Sequence, residues 1–247
     1  TVPKAYSETF ELAGEQVIIT GIAKGAGMIK PNMATLLAFI CTDAEIEEES
    51  LQRLCVDAAN LSFNRITVDG DTSTNDSCML VASGQGELKY SEIAKEQQQQ
   101  FSSALNRVFK KLAQAIIKDA EGASKFVSIS VEEGLDFSEC LQLAYAIAES
   151  PLVKTALFAS DPNWGRILAV VGRLGLENLD ITKVSIYLDD VCIVENGGKS
   201  PTYTELMGRA VMDQSEISIT VKLNRGSYSG QVWTCDLSYD YVKINAE

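Results

Sequence analysis

The chain has 247 residues, 46% hydrophobic and 22% charged, with 21 basic against 34 acidic side chains for a net charge of −13. This is enough for one large or two ordinary domains, and the acidic balance argues against nucleic acid and anionic membrane, which are both held through Lys and Arg. Histidine is absent, which excludes Ser-His-Asp and Cys-His catalysis and the zinc sites built on imidazole.

No apolar run approaches the ~20 residues of a membrane span, and Thr1 to Ser7 lack the basic and apolar regions of a signal peptide. The first residue is Thr rather than Met, so a processed chain or a piece of a longer one is expected. Cys41, Cys55, Cys78, Cys140, Cys192 and Cys235 form no CxxC pair and read as small buried hydrophobes in a reducing compartment.

In chain order, Phe10 to Leu12 and Val17 to Ile19 predict a strand, a turn at Gly14 and a second strand. A glycine-bearing loop, Lys24 to Ala34, follows and opens into an apolar strand, Leu36 to Cys41. Thr35 stands at the mouth of that strand. It reads either as an ordinary β-favouring residue or as a rigidly held hydroxyl in a glycine-lined site. Thr42 or Asp43 is the expected cap of an acidic-fronted helix with Leu51, Leu54, Cys55 and Ala58 on one face. A strand is expected over Asn64 to Asp69. Asp69 to Asp76 is dense in oxygen donors but lacks the glycine and glutamate spacing of an EF-hand. It reads equally as a turn closed by Asx and Ser/Thr side chains or as a polar wall around a site. Ser77 to Ser83 should be a strand.

Ser91 is the expected cap of a long helix to about Ala120, with an apolar stripe through Phe101, Leu105, Val108, Phe109, Leu112 and Ile116. Its Gln97–Gln100 run reads as surface. Gly122 is the expected glycine after the helix end; Glu121 is either solvated or placed for a cation. Phe126 to Val131 predicts a strand. Ser138 and Pro151 open two further helices. Asp161-Pro162-Asn163-Trp164-Gly165-Arg166 is a sharp turn, and Ile167 to Val171 a helix or a strand. Val184–Leu188 and Val191–Val194 form a hairpin about Asp189-Asp190. Thr204 caps a short helix, and two strands, Glu216–Leu223 and Tyr228–Leu237, precede the end of the chain.

Without imidazole, a hydroxyl nucleophile needs another base. The α-amino group of an N-terminal threonine can serve, since its pKa lies near ~8 and it reaches its own hydroxyl. Thr1 is terminal, but Val2-Pro3-Lys4 gives it no buried strand. Thr35 has the surroundings and becomes terminal only if the Ala34–Thr35 bond is cut. Its own oxygen could do this by attacking the preceding carbonyl.

The run Lys24-Gly25-Ala26-Gly27-Met28 … Pro31-Asn32-Met33-Ala34-Thr35-Leu36-Leu37-Ala38-Phe39 resembles the autocleavage segment of the ornithine acetyltransferase family, the glutamate N-acetyltransferases of arginine biosynthesis. Asp69–Asp76, Asp119–Phe126, Asp161–Arg166 and Tyr241–Ala246 match further family segments in order, so the resemblance spans essentially the whole chain. It implies an α/β (α+β) fold: an αββα-type sandwich with a smaller C-terminal α/β domain. We divide the sequence into a catalytic part over 1–130 with the cleavage site, a C-terminal domain over 131–238, and a tail over 239–247 returning to the active site.

The resemblance also implies a precursor that cuts itself between Ala34 and Thr35. Thr35 then takes acetyl from N-acetylornithine and passes it to glutamate in a ping-pong cycle. Lys24, eleven positions before Thr35 (35 − 24), matches a substrate-binding lysine. Glu121 and Asn245 match further substrate-contacting positions, and Thr35 itself also contacts substrate. No metal or cofactor is implied, and acetyl-CoA is a possible second donor. The expected assembly is a cytoplasmic heterotetramer of two alpha and two beta chains, with the mitochondrial matrix as the alternative location. The family protein extends further at its N-terminus, where its oxyanion-hole Thr-Gly pair lies, so this chain alone is expected to be nearly inactive. The alternatives are an N-terminal-nucleophile aminopeptidase or amidohydrolase of related fold, and a non-catalytic binding fragment.

Overall fold

The computed structural model describes residues 2–30 and 36–246, which fall into two compact units, Thr1–Asp119 and Ala120–Glu247. Each is a mixed α/β unit, in agreement with the α/β class expected from the sequence.

In the first unit, β1 (Lys4–Leu12) and β2 (Glu15–Lys24) form an antiparallel hairpin through Ala13 and Gly14, both at positive φ. β2 pairs antiparallel with β3 (Leu37–Thr42), which pairs parallel with β4 (Ser77–Ala82), in the order β1-β2-β3-β4. Side chains alternate across a strand, so Val17, Ile19, Ala38 and Ile40 share one buried face. On it lie α1 (Glu48–Asn60), beside β4, and the long α2 (Lys95–Lys118), across β1 and β2. The α2 stripe is buried as its periodicity predicts: Phe101, Leu105, Val108, Phe109, Leu112 and Ile116 are each at most 1% exposed. Burying each such side chain contributes about 1.5–3 kcal/mol relative to leaving it in water. Gly21 permits the close approach, since a Cβ there would lie 2.7 Å from Leu112 Cδ1.

The opposite sheet face is open and apolar. The ladder aligns Ile22, Phe39 and Met79 across three strands, and these are 54%, 39% and 43% exposed. Ile18 and Val81 lie exposed on the same face.

Several expected boundaries move, each for a local reason. Lys24 ends β2 instead of beginning the loop. Asp43 does not cap α1, because its carboxylate accepts from Ile18 N at 2.9 Å, and the N-cap position falls to Glu47. Ser91 does not cap α2 either: Ala94 holds the N-cap, with its N–H donating to Gln97 Oε1 at 3.0 Å. Gln98 Nε2 donates to Tyr90 O at 3.0 Å. The glutamine run is thus partly structural. In place of the strand expected over Asn64 to Asp69 there is a short 3-10 turn, Phe63–Arg65, and an irregular stretch. Phe63, Ile66 and Val68 all bury their side chains there, and Val68 N donates to Ile29 O at 2.7 Å.

The second unit is built on a six-stranded sheet, ordered β10-β5-β9-β6-β7-β8. Its strands are β5 (Phe126–Gly134), β6 (Ser185–Leu188), β7 (Val191–Glu195), β8 (Gly198–Lys199), β9 (Glu216–Lys222) and β10 (Tyr228–Cys235). β5 and β9 run parallel and their Val127, Ile129, Val131, Ile217, Ile219 and Val221 form the core. Against it pack α3 (Phe137–Ala148), α4 (Pro151–Phe158), α5 (Trp164–Arg173) and α6 (Glu205–Met212). The Asp189-Asp190 hairpin and the Thr204 cap form as predicted. α3 is capped by Asp136, which accepts from Glu139 N at 2.8 Å, rather than by Ser138. The Ile167–Val171 ambiguity resolves to helix, with Asn163 capping α5.

The chain closes with α7 (Tyr239–Ala246), where the sequence reading had only a tail. Among the described residues no helix is long and apolar enough to cross a membrane.

Candidate active site

Ala34 and Thr35, the expected cleavage pair and nucleophile, lie outside the described residues. The groups on either side of them fall within the described residues. Lys24 closes β2 directly across the ladder from Leu37, two residues past Thr35. Its side chain is exposed and has no hydrogen-bond or ion-pair partner among the described residues. That leaves a cation available for an anionic ligand.

The loop after Lys24 is held by Asp69. Its carboxylate accepts from Met28 N at 2.7 Å and Ile29 N at 3.1 Å, and from Asp71 N at 3.2 Å. Thr72 Oγ1 donates to Lys30 O at 3.1 Å. On the far side of the undescribed stretch, Asp76 accepts from Leu36 N, and Ser77 N donates to Leu36 O at 2.9 Å. Asp69–Asp76 therefore fits the turn reading of its sequence. It closes on itself as an Asx turn, and it clamps the backbone before and after the threonine. Charge-assisted bonds of this kind are the stronger class. Gly25 acts differently from the expectation. A Cβ there would lie 3.1 Å from Ile29 Cδ1, so its bareness packs the loop onto the core instead of admitting other backbone.

Glu121 and Asn245 belong to the second unit, where the fold brings them together: Asn245 Nδ2 donates to Glu121 Oε2 at 3.1 Å. Glu121 is half-buried and Asn245 exposed. α2 ends at Lys118 with Asp119 as C-cap, so Gly122 is not the glycine after the helix. It occupies a later turn at φ +66°. The acid at the helix end is Asp119, whose unfavourable placement against the dipole is offset by the buried Lys4 ammonium bonded to it. Burial pushes the Asp119 carboxyl up, but Lys4 and Val2 N outweigh it and hold the group below the usual carboxylate range.

Sequence reasoning missed Asp236, which accepts from Ser124 N and Lys125 N, and Ser238, which donates to Gly122 O, as groups that hold the turn after Glu121. For Ser238 a signal existed, a serine directly before Tyr239-Asp240-Tyr241 with an acid in the first turn, which is a helix start. It also misjudged the cysteines. Only Cys140 and Cys235 are buried, whereas Cys41 is exposed on the open sheet face. Cys55 and Cys78 line a groove of about 630 Å³ between α1 and β4. The neighbouring Cys78 side chain draws the Cys55 pKa down to about 7, against a smaller rise from burial; the Cys55 side chain, with burial, pushes Cys78 up. Among the described residues no cluster of three or more His, Cys, Asp or Glu side chains is placed to hold a metal.

The sequence profile of the ArgJ family matches residues 1–247. The chain belongs to the ArgJ family. It is 53% identical over 250 residues to the arginine biosynthesis bifunctional protein ArgJ of Pseudomonas fluorescens, with 100% of this chain and 61% of that protein covered. The ArgJ of Psychrobacter arcticus is 52% identical over 248 residues, again covering 100% and 61%. The chain thus spans about 61% of the length of the curated relatives it matches. A crystal structure of ArgJ from Bacillus halodurans superposes with a TM-score of 0.77 at 36% identity, covering 84% of this chain and 97% of that one. Family membership and the mixed α/β fold are therefore both established for the chain.

Proposed function

We propose that the whole protein is a self-cleaving glutamate N-acetyltransferase, and that this chain carries its nucleophile and part of its substrate site. One observation carries the reading. The ladder pairs Lys24 with Leu37, while Asp69 and Asp76 clamp the backbone on both sides of Ala34–Thr35. A reacting bond must be held to within about an ångström, and two half-buried carboxylates, Asp69 and Asp76, bond the described backbone that flanks it at Met28, Ile29 and Leu36.

Thr35 Oγ attacks the Ala34 carbonyl and breaks the peptide bond, leaving an ester and a free Thr35 amine; water then hydrolyses the ester to the Ala34 carboxylate and the Thr35 hydroxyl. That amine is then the base for Thr35 Oγ. The hydroxyl attacks the acetyl carbonyl of N-acetylornithine, its proton passing by way of the amine to the departing ornithine nitrogen. The resulting acetyl-Thr35 ester is taken by the amine of glutamate. Lys24 meets the α-carboxylate common to both substrates, and Glu121 with Asn245 meets the cationic side chain of ornithine. The relatives' description as bifunctional favours acetyl-CoA as a second donor.

The oxyanion donors are assigned to the N-terminal segment of the longer protein, and losing one such donor typically costs about 10²–10³ in rate. The open face of Ile18, Ile22, Phe39, Met79 and Val81 is where that segment would pack. A cytoplasmic heterotetramer of two alpha and two beta chains completes the reading.

The full-length protein tests it. Intact mass should show two chains parted at Ala34–Thr35, a single chain for Thr35→Ala, and an acetyl adduct on the wild-type threonine with N-acetylornithine. A wild-type protein that stays uncut would overturn the reading. Ornithine release that does not need glutamate would instead favour the hydrolase.

A further inference from the structure

α7, the helix that carries Asn245, buries none of its side chains. Tyr239, Val242 and Ile244 are 82%, 59% and 50% exposed. Its 8 residues fall short of the ~12–15 at which even favourable isolated helices hold in water. Its position must come from a few directed contacts rather than from an apolar face.

Those contacts converge on the turn that follows Glu121. Ser238, 5% exposed, donates its hydroxyl proton to Gly122 O at 2.6 Å and accepts from Tyr241 N at 3.1 Å. The second of these bonds is an N-cap on α7. One hydroxyl thus ties the start of the helix to the peptide beside Glu121. Asp236, 3% exposed, fixes the same turn by accepting from Ser124 N at 2.8 Å, Ser124 Oγ at 2.6 Å and Lys125 N at 2.9 Å. Tyr239 adds an edge contact to Phe158, centroids 5.5 Å apart. Gly122 admits the helix, because an added Cβ would collide with Tyr241 N and lie 2.7 Å from Ser238 Oγ. Its φ of +66° also suits glycine. Ser238 and Asn245 are seven residues apart, about two turns at 3.6 residues each, so they share one face of α7. Tyr241 O, between them, also accepts from Asn245 Nδ2 at 3.0 Å.

We infer that Gly122 and Ser238 form a positioning staple that sets Asn245 against Glu121, and so controls recognition of the cationic end of the acetyl donor. The inference rests on the reading of Glu121 and Asn245 as donor-binding residues. Ser238 touches no substrate in it. The hydroxyl acts only through where it holds Asn245.

The test uses the full-length, self-cleaved enzyme and steady-state kinetics with N-acetylornithine and glutamate. Ser238→Ala should raise the donor KM about tenfold, the effect of one hydrogen bond worth about 1.4 kcal/mol, with the loss falling on KM more than on kcat. Ser238→Thr, which keeps the hydroxyl, should recover most of it. In an Asn245→Ala background, Ser238→Ala should change the donor KM by less than about twofold, because the group it positions is gone. Gly122→Ala displaces the helix with Ser238 intact, and gives a second route to the same rise and the same masking if Ser238→Ala does not fold. A rise of equal size in the Asn245→Ala background would make the staple merely structural and overturn the inference. So would an unchanged KM in Ser238→Ala and Gly122→Ala while Asn245→Ala raises it. An unchanged KM in Asn245→Ala itself would overturn the underlying assignment of the site instead.

Discussion

Asp69→Ala removes the carboxylate that receives Met28 N at 2.7 Å and Ile29 N at 3.1 Å, leaving the bond from Thr72 Oγ1 to Lys30 O as the loop's remaining side-chain tie to the Asp69–Asp76 segment. A hydrogen bond to a charged acceptor contributes about 1.5–3 kcal/mol. The Met28 bond is exposed, so water recovers much of it. The Ile29 bond is partly buried beside a side chain with 0% exposure, and its donor would be stranded. The expected loss is about 2–4 kcal/mol. It should be read by chemical denaturation in the uncut Thr35→Ala background of the full-length protein, where cleavage does not complicate the transition.

In the cleavage-competent protein the same substitution should slow self-processing by about ten- to a hundredfold, since misplacing a reacting group by ~1 Å costs up to about 10² in rate. A time course by intact mass measures this. Asp69→Asn keeps one oxygen acceptor and should fall between the two. An Asp69→Ala protein that cleaves at the wild-type rate, or loses less than about 0.5 kcal/mol, would refute the clamp.

Two further outcomes follow from titration. With its pKa near 7, Cys55 should be the thiol that iodoacetamide labels first at pH 7 among those lining the α1–β4 groove, and Cys78→Ala should slow that labelling by about tenfold by removing the neighbouring thiol that lowers it; peptide mapping after limited alkylation checks both. Asp119 has a folded pKa below its unfolded one, so its contribution is present above the ordinary carboxylate value and is lost as pH falls through the lowered one. Asp119→Ala should therefore cost about 2 kcal/mol at pH 7, from a pair with side chains 3% and 19% exposed. The gap from wild type should close progressively below about pH 4, measured by thermal denaturation across pH.

Much of the architecture is legible in the residue pattern. The α2 stripe and the alternation of Glu216–Leu223 name their element and their buried face, because a 3.6- or 2-residue period allows only one surface to leave water. Caps were less legible. Asp43, Ser91 and Ser138 are all chemically able to cap, yet Asp43 bonds to Ile18 N from another strand, and Glu47, Ala94 and Asp136 hold the positions instead. A capping side chain has several possible backbone partners, and the tertiary fold selects among them. Ile66 and Val68 misled in the other direction. Apolar residues two apart read as a strand, but these bury their side chains from an irregular stretch after the Phe63–Arg65 turn.

The sequence alone determined which chemistry was open. Without histidine no imidazole base can come from this chain, and the ordered segments around Lys24, Thr35, Glu121 and Asn245 pointed to its family. What only the tertiary structure decided is how those segments are held. Asp69 reaches back 40 residues to Ile29 N, Asp76 reaches back 40 to Leu36 N, and Asn245 meets Glu121 across 124 residues. Side-chain chemistry is carried by each residue itself and can be read in order. A hydrogen bond between distant residues depends on where the folded core puts both ends, and nothing local to either one records its partner.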